Sequence, residues 1–231
     1  PMPISKISFE IKRGSTVGII GGTGSGKSTL INLIPRFYDV TQGSVEVDGR
    51  NVKDYSFKQL RKQIGIVPQQ SILFKGTIRD NMKWENSDLS DEDIITALKN
   101  AQAYEFVSKL PMGLDSHVEQ GGKNFSGGQR QRLCIARAIA AQPKVLILDD
   151  SFSALDFATD AALRKALSQY THEMTVIIVT QRCSTIMNSD LILVLDDGML
   201  VGNGTHKELL KNCETYKEIC LSQLSKSEVE V

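Results

Sequence analysis

The sequence predicts an α/β fold in which helices cover both faces of a parallel sheet and an α-helical subdomain is inserted in the chain. Short apolar runs at 16–20, 64–67, 145–149 and 175–180 are typical of buried strands, and helical patterns separate them. Such alternation indicates parallel strands whose connecting helices pack on the sheet. Between about 77 and 140 the pattern is helical throughout, which predicts the insertion.

Antiparallel β elements are expected at the N-terminal side of this core. Ile7, Phe9 and Ile11 alternate with polar residues and predict a first strand, while 43–49 is a short strand pattern bounded by glycines. A further hairpin is predicted late in the chain, around Asp197-Gly198.

The domain organisation follows from these patterns. We expect 1–231 to form a single domain whose core covers about 1–76 and 141–231. The helical subdomain covers about 77–140, and 225–231 is expected to be a disordered tail.

Composition limits the class of protein. The 231 residues are 41% hydrophobic and 23% charged, as in ordinary globular chains. Lys and Arg together number 27, as do Asp and Glu, so the formal net charge is zero and no nucleic-acid partner is expected. No apolar run approaches the roughly 20 residues that span a bilayer. Because the chain opens on Pro1, we expect it to be part of a longer protein.

Four cysteines are present: Cys134, Cys183, Cys213 and Cys220. None forms a C-x-x-C pair, and two lie in helical patterns. We therefore expect free thiols in a reducing cytosol and neither a disulfide nor a zinc site.

A glycine-rich loop at 21–28 fits the pattern G-x-x-x-x-G-K-[ST] and lies between a predicted strand and a helix predicted from Lys27 to about Phe37. Backbone N–H groups of such a loop close around phosphate oxygens, and the start of the helix favours negative charge. Lys27 is expected to reach the terminal phosphates and Ser28 to bind Mg²⁺. The residues expected to bind phosphate are Gly21, Gly22, Thr23, Gly24, Ser25, Gly26, Lys27, Ser28 and Thr29. A merely flexible glycine turn has no use for Lys27-Ser28.

A second ligand for Mg²⁺ is expected from Asp149, where the apolar run 145–149 ends in a carboxylate. The structural alternative for Asp149 is the N-cap of a helix. Together the loop and this carboxylate predict a P-loop NTPase core.

The segment 124–133, N-F-S-G-G-Q-R-Q-R-L, resembles the signature loop of ATP-binding cassette (ABC) proteins and precedes the 145–149 run by a single helix. Its matching residues are Phe125, Ser126, Gly127, Gly128 and Gln129. In that family the signature loop of one subunit covers the γ-phosphate bound to the other. The resemblance therefore implies ATP and Mg²⁺ as ligands and a second nucleotide-binding domain as partner.

Other family elements match along most of the chain. Gln69 resembles the Q-loop glutamine, which implies a role at the Mg²⁺ and in catalysis, and the D-loop is matched by Ser153, Ala154, Leu155 and Asp156. Segments 71–81 and 118–122 are similar to those of exporters, which implies transmembrane domains upstream of Pro1 and a place on the cytoplasmic face of a bacterial plasma membrane. By analogy, multidrug export is the leading hypothesis. The aromatic residue that stacks on adenine in this family falls before Pro1.

Two positions depart from the family's catalytic pattern. Asp150 stands where a glutamate usually polarises the attacking water, and Gln181 stands where a histidine usually contacts the γ-phosphate. Placement along the chain does not let His117, His172 or His206 replace that histidine, so structural roles are expected for all three.

The departures suggest a site that holds ATP but hydrolyses it poorly, with Asp150, Gln181 and Gln69 as its catalytic group. The simplest hypothesis is one half of a heterodimeric exporter, which completes the competent site of a homologous, non-identical partner. An ordinary homodimer in which Asp150 works slowly is the alternative. Three other classes of protein are alternatives to an exporter: an importer ATPase, a chromosome-maintenance ATPase, which has coiled-coil arms, and a translation-associated protein with two cassettes.

Overall fold

The structure, a computed structural model, describes residues 3–170 and 174–224. The predicted tail at 225–231 and His172 lie outside this range. Strands within it are β1 (Thr16–Ile20), β2 (Glu46–Val47), β3 (Arg50–Asn51), β4 (Ile64–Val67), β5 (Gly76–Thr77), β6 (His117–Val118), β7 (Val145–Asp149), β8 (Thr175–Thr180), β9 (Leu191–Asp196) and β10 (Met199–Gly204). Helices are α1 (Lys27–Leu33), α2 (Phe57–Arg61), α3 (Ile78–Met82), α4 (Asp91–Asn100), α5 (Tyr104–Ser108), α6 (Gly127–Ala140), α7 (Phe157–Tyr170), α8 (Cys183–Ile186), α9 (His206–Asn212) and α10 (Glu214–Gln223).

Six strands form the main sheet in the order β10-β9-β1-β8-β7-β4. All neighbouring pairs are parallel except β9 and β10, which form the antiparallel hairpin predicted around Asp197-Gly198. The predicted α/β fold with a mainly parallel sheet is confirmed. Because the parallel strands end at the same edge, the loops after β1, β4, β7 and β8 are brought together there.

Each central strand contributes apolar side chains to both faces of the sheet. Leu146 and Leu148 belong to the apolar cluster on the side of α6, whereas Ile147 belongs to the cluster on the side of α1. In β8, Ile178 belongs to the cluster on the side of α6, and Ile177 belongs to the cluster on the side of α1. Successive side chains of a strand point to opposite faces, so a continuous apolar run is required when both faces are buried.

The predicted first strand is wrong. Ile7, Phe9 and Ile11 are partly buried against the α1-side cluster, but the segment is not assigned as a strand in the part of the chain that the structure describes. Alternation records which side chains face the core, and it carries no information on whether a neighbouring strand completes the hydrogen-bond ladder. The expected strand at 43–49 shrinks to Glu46–Val47, which pairs antiparallel with Arg50–Asn51.

Several helix boundaries follow local signals. The Ser-Asp-Glu-Asp pattern at 90–93 predicts a capping box, and one is present, with Ser90 Oγ accepting from Asp93 N at 3.1 Å. Helix α1 ends at Leu33, earlier than the predicted Phe37, because Pro35 has no backbone N–H with which to continue the helical hydrogen bonds. Among the described residues, no helix combines the length and apolarity that a bilayer crossing requires.

The expectation of four free thiols is wrong for one pair. Cys183 and Cys220 are joined as a disulfide with their Cα atoms 5.7 Å apart, while Cys134 and Cys213 are free and buried. The two partners are separated by 37 residues and meet because α10 packs on α8. Spacing along the chain gives no sign of such a contact.

Candidate functional site

The glycine-rich loop leaves the end of β1 and enters α1, so its position is set by the centre of the sheet. Gly26, at the N-cap of α1, has φ of 97°, a left-handed conformation that glycine adopts without a steric penalty. At Gly21 an added Cβ would lie 2.1 Å from the carbonyl oxygen of Leu195 on β9. The loop's close approach to the neighbouring strand therefore requires glycine.

Lys27 is buried and its ammonium lies inside the curve of the loop. Lys27 Nζ donates to the carbonyl oxygens of Gly21 and Gly22, both at 2.7 Å, and to Ser25 Oγ at 3.3 Å. Burial lowers the pKa of Lys27, and the nearby carboxylates of Asp149 and Asp150 oppose that shift. A partly desolvated cation within a loop of backbone N–H groups suits a polyanionic ligand such as a nucleotide phosphate.

Ser28 and Asp149 are brought together from α1 and β7. Ser28 Oγ donates to Asp149 Oδ2 at 3.4 Å, so two oxygen ligands lie side by side. The pKa of Asp149 is raised, chiefly because the carboxylate is buried and also because Asp150 lies nearby. The hydrogen bond from Ser28 and the charge of Lys27 oppose this increase. A desolvated carboxylate beside a hydroxyl fits a hard divalent cation such as Mg²⁺, which would neutralise the buried charge.

Asp150 occupies a constrained position directly after β7. Its φ is 47°, and its N–H donates to the carbonyl oxygen of Val179 on β8 at 2.8 Å. Its Oδ2 accepts from Gln69 Nε2, which follows β4, at 3.2 Å. The structure therefore joins two members of the expected catalytic group, a contact that the sequence analysis missed. Gln69 was expected at the Mg²⁺, and here its amide nitrogen faces the Asp150 carboxylate.

Gln181, the third member, follows β8 and is exposed. Its carbonyl oxygen accepts from Gln223 Nε2 at 2.7 Å, and Gln223 Oε1 accepts from the N–H of Cys183 at 2.9 Å. Helix α10 thus fixes the backbone of the segment after β8. Gln223 was missed because no motif marks it.

Ser151 was also missed by the sequence-based prediction. Its buried hydroxyl donates to the Val67 carbonyl at 3.0 Å and links the ends of β7 and β4.

The signature segment begins α6 through a capping box. Ser126 Oγ accepts from Gln129 N at 3.2 Å, and Gln129 Oε1 accepts from Ser126 N at 3.0 Å. Phe125 is buried just before this turn, while Ser126 and Gly127 are exposed. The start of a 14-residue helix is therefore presented at the surface, where its N–H groups can bind an anion.

The D-loop contacts both the site and the signature helix. Ser153 Oγ donates to the carbonyl oxygen of Asp150 at 2.9 Å. The Ala154 carbonyl oxygen would lie 3.2 Å from a Cβ added at Gly128. Asp156 caps α7 by accepting from Thr159 N at 2.9 Å. The roles of these residues toward a nucleotide stay predictions, but the fold connects them in one network.

Comparisons with known proteins agree with this geometry. The model of the ABC transporter family matches residues 4–153. The chain is 46% identical over 223 residues to YfiB of Bacillus subtilis (strain 168), an uncharacterized ABC transporter ATP-binding protein, covering 96% of this chain and 39% of that one. It is 44% identical over 218 residues to a putative multidrug export ATP-binding/permease protein of Staphylococcus aureus (strain NCTC 8325 / PS 47), covering 94% and 38%.

A solved structure is also similar. It is that of a bacterial Atm1-family ABC exporter with ATP bound, and it matches with a TM-score of 0.90 and 37% sequence identity, covering 95% of this chain and 39% of that one. The chain thus spans about two fifths of the length of these relatives. The family match includes the phosphate loop, the signature segment and Asp149, and the chain belongs to the ABC transporter family.

Proposed function

We propose that this chain is the MgATP-binding domain of an exporter and that it pairs with a second such domain to power transport. The main support for this proposal is the arrangement of polar and charged side chains at the carboxyl edge of the sheet. The Lys27 ammonium lies within the glycine loop, and the Ser28–Asp149 oxygen pair lies beside it. This set of groups serves the binding of a nucleotide triphosphate with its divalent cation.

Binding uses groups that are already in place. Lys27 gives up its contacts with the Gly21 and Gly22 carbonyls in favour of phosphate oxygens, a charge-assisted and therefore stronger interaction. Ser28 and Asp149 would hold Mg²⁺, which supplies charge neutralisation at the phosphates. Gln69 Nε2 donates to the Asp150 carboxylate and would thereby hold that group in one orientation.

The exposed start of α6 supports action in trans. Ser126 and Gln129 satisfy each other through the capping box, so the turn is rigid before any partner arrives. The first N–H groups of a helix have no partner within it, and here they begin at the exposed Gly127. We infer that this end of α6 completes the phosphate site of a second ATP-binding domain.

Hydrolysis at the chain's own site is proposed to be weak. Asp150 has a side chain one methylene shorter than glutamate, and its backbone is fixed by the Val179 carbonyl, so it cannot move forward to compensate. Gln181 donates hydrogen bonds but neither titrates nor carries charge. Loss of general-base help typically lowers a rate by about 10²–10⁴. The proposed partner is therefore homologous and non-identical, and it supplies the competent site.

Transmembrane domains complete the proposed assembly, which places the chain at the cytoplasmic face of a cell membrane. The Staphylococcus aureus relative is named for multidrug export, and multidrug export is accordingly the proposed activity. The competing proposal is a homodimer that hydrolyses ATP at its own sites. The hydrogen bond between Gln69 and Asp150 favours it, because it holds a carboxylate near the expected water position.

One experiment separates the two proposals. The wild-type chain is saturated with MgATP, ATP-dependent dimers are measured by light scattering, and turnover is measured on the same samples. Tight ATP binding with little turnover supports the degenerate site. Turnover of several ATP per second by a pure preparation of the chain supports the homodimer and refutes weak hydrolysis.

A further inference from the structure

A second cluster of reactive side chains lies beneath the segment after β8, apart from the phosphate loop. Cys183 at the start of α8, Cys220 on α10 and His206 at the start of α9 bring two sulfur atoms and one ring nitrogen to within 4.8 Å of one another. Both cysteines are fully buried, and His206 is half-buried. Three elements that are distant along the chain thus converge on one point.

We propose that, once the Cys183–Cys220 disulfide is reduced, these three side chains bind a thiophilic divalent cation of the Zn²⁺ type. Two cysteines and one histidine are a donor set that zinc favours, with Zn–S of about 2.3 Å and Zn–N of about 2.0–2.1 Å. In a tetrahedral site such bonds place neighbouring donor atoms about 3.5–3.8 Å apart. The three donor atoms already lie within 4.8 Å of one another, and reduction of the disulfide frees the two sulfur atoms to separate to this spacing.

Charge balance favours a divalent ion at this depth. Two thiolates and one divalent cation sum to zero, and the imidazole ligand is neutral. A buried site with no net charge avoids the large cost of an isolated buried ion. His206 is the least buried of the three ligands and provides the route by which an ion enters.

Tyr216 orients the donors. Its hydroxyl lies 2.8 Å from His206 Nδ1 and 3.5 Å from Cys183 Sγ, and its side chain is fully buried on α10. Hydrogen-bonded groups behind metal ligands fix their orientation, and their removal typically weakens metal binding about 10–100-fold. We assign Tyr216 to positioning, not to ligation.

The site is linked to the nucleotide region through α10. Gln223, one turn beyond Cys220, contacts the backbone of Gln181 and Cys183 on either side of Arg182. A bound cation therefore holds α10 against the segment that carries Gln181. Its loss is expected to increase amide hydrogen exchange in α10 more than in the distant helix α4.

The disulfide must be reduced before the cation can bind. A trialkylphosphine takes oxygen from water and becomes the phosphine oxide, while the two hydrogens convert the disulfide into two thiols. Each thiol then releases one proton to solvent as its sulfur bonds the cation. The oxidised chain has no thiolate to offer at this site and is expected not to bind the cation there.

The test uses Co²⁺ as a spectroscopic substitute in the phosphine-reduced 231-residue chain. We expect one equivalent of Co²⁺ to give the intense visible bands of tetrahedral thiolate coordination, with displacement by Zn²⁺ and no such bands in the oxidised chain. Cys220→Ser and the milder His206→Gln should abolish or strongly weaken binding, and Tyr216→Phe should weaken it about 10–100-fold. The matched controls Cys134→Ser and Cys213→Ser, which remove buried thiols outside the cluster, should bind as wild type does.

Circular dichroism confirms that each variant is folded. Absence of thiolate bands in the reduced wild type would show a purely structural disulfide and overturn the proposal. Bands that persist undiminished in a folded His206→Gln or Cys220→Ser variant would place the cation elsewhere and overturn it equally.

Discussion

Restoring the family's usual catalytic pair, through Asp150→Glu with Gln181→His, tests the proposed cause of weak hydrolysis. The Asp150 N–H is held by the Val179 carbonyl at 2.8 Å, so the backbone stays in place when the side chain lengthens. One added carbon–carbon bond then lets the carboxylate reach about 1.5 Å further from the backbone. The imidazole at 181 adds a group that can carry charge.

We expect the ATP turnover of the double variant to exceed that of wild type by about 10²–10⁴. At about 1.36 kcal/mol for each factor of ten, this corresponds to a barrier lowered by about 2.7–5.4 kcal/mol. The structure also sets an opposing cost. Asp150 has φ of 47°, a left-handed conformation that aspartate tolerates better than glutamate. The variant should therefore be less stable by about 1 kcal/mol, a fall in Tm of about 2–4 °C.

The assay compares phosphate release at saturating MgATP with ATP affinity and dimer content in the same samples. Asp88→Glu with Gln169→His is the matched control, because it makes the same chemical changes at exposed positions outside the site. The reasoning is refuted if the double variant binds ATP and dimerises as wild type does but turns over no faster.

Three further outcomes are expected. Lys27→Ala should abolish detectable MgATP binding while the fold persists, because the loop loses its buried cation; equilibrium binding of a fluorescent ATP analogue measures this. Ser126→Ala should lower the stability by about 1 kcal/mol because it removes the N-cap of α6. Ser126→Asp should keep the cap and the Tm, but its negative charge should repel phosphate and slow hydrolysis in an assembled dimer. Burial raises the pKa of Asp149, so its ionised form is disfavoured in the folded state. The ATP-free chain should therefore lose stability as the pH rises from the pKa of Asp149 in the unfolded chain to its higher pKa in the folded chain. The variant Asp149→Asn should have a higher Tm and a weaker dependence of stability on pH. Thermal melts between pH 3.5 and neutrality check it, and an unchanged or lower Tm in Asp149→Asn would contradict the argument.

Features that depend on a few neighbouring residues could be predicted from the sequence. The phosphate loop is one, because its strand, its glycines and Lys27 lie within a single β–loop–α unit. The capping box at Ser90 is another, since an N-cap and its partner are three residues apart and form within the helix itself. The buried strands were predicted for a similar reason, because burial on both faces requires an unbroken apolar run.

Contacts between distant residues were decided by the tertiary structure alone. The hydrogen bond between Gln69 and Asp150 spans 81 residues and depends on β4 lying beside β7. The Cys183–Cys220 pair depends on α10 folding back onto α8. Apolar alternation near Ile7 correctly indicated burial but not strand pairing, since a ladder needs a partner. The sequence therefore determined the parts of the nucleotide site that are local, whereas packing of distant elements determined how its catalytic group is held and brought the cysteine–histidine cluster together.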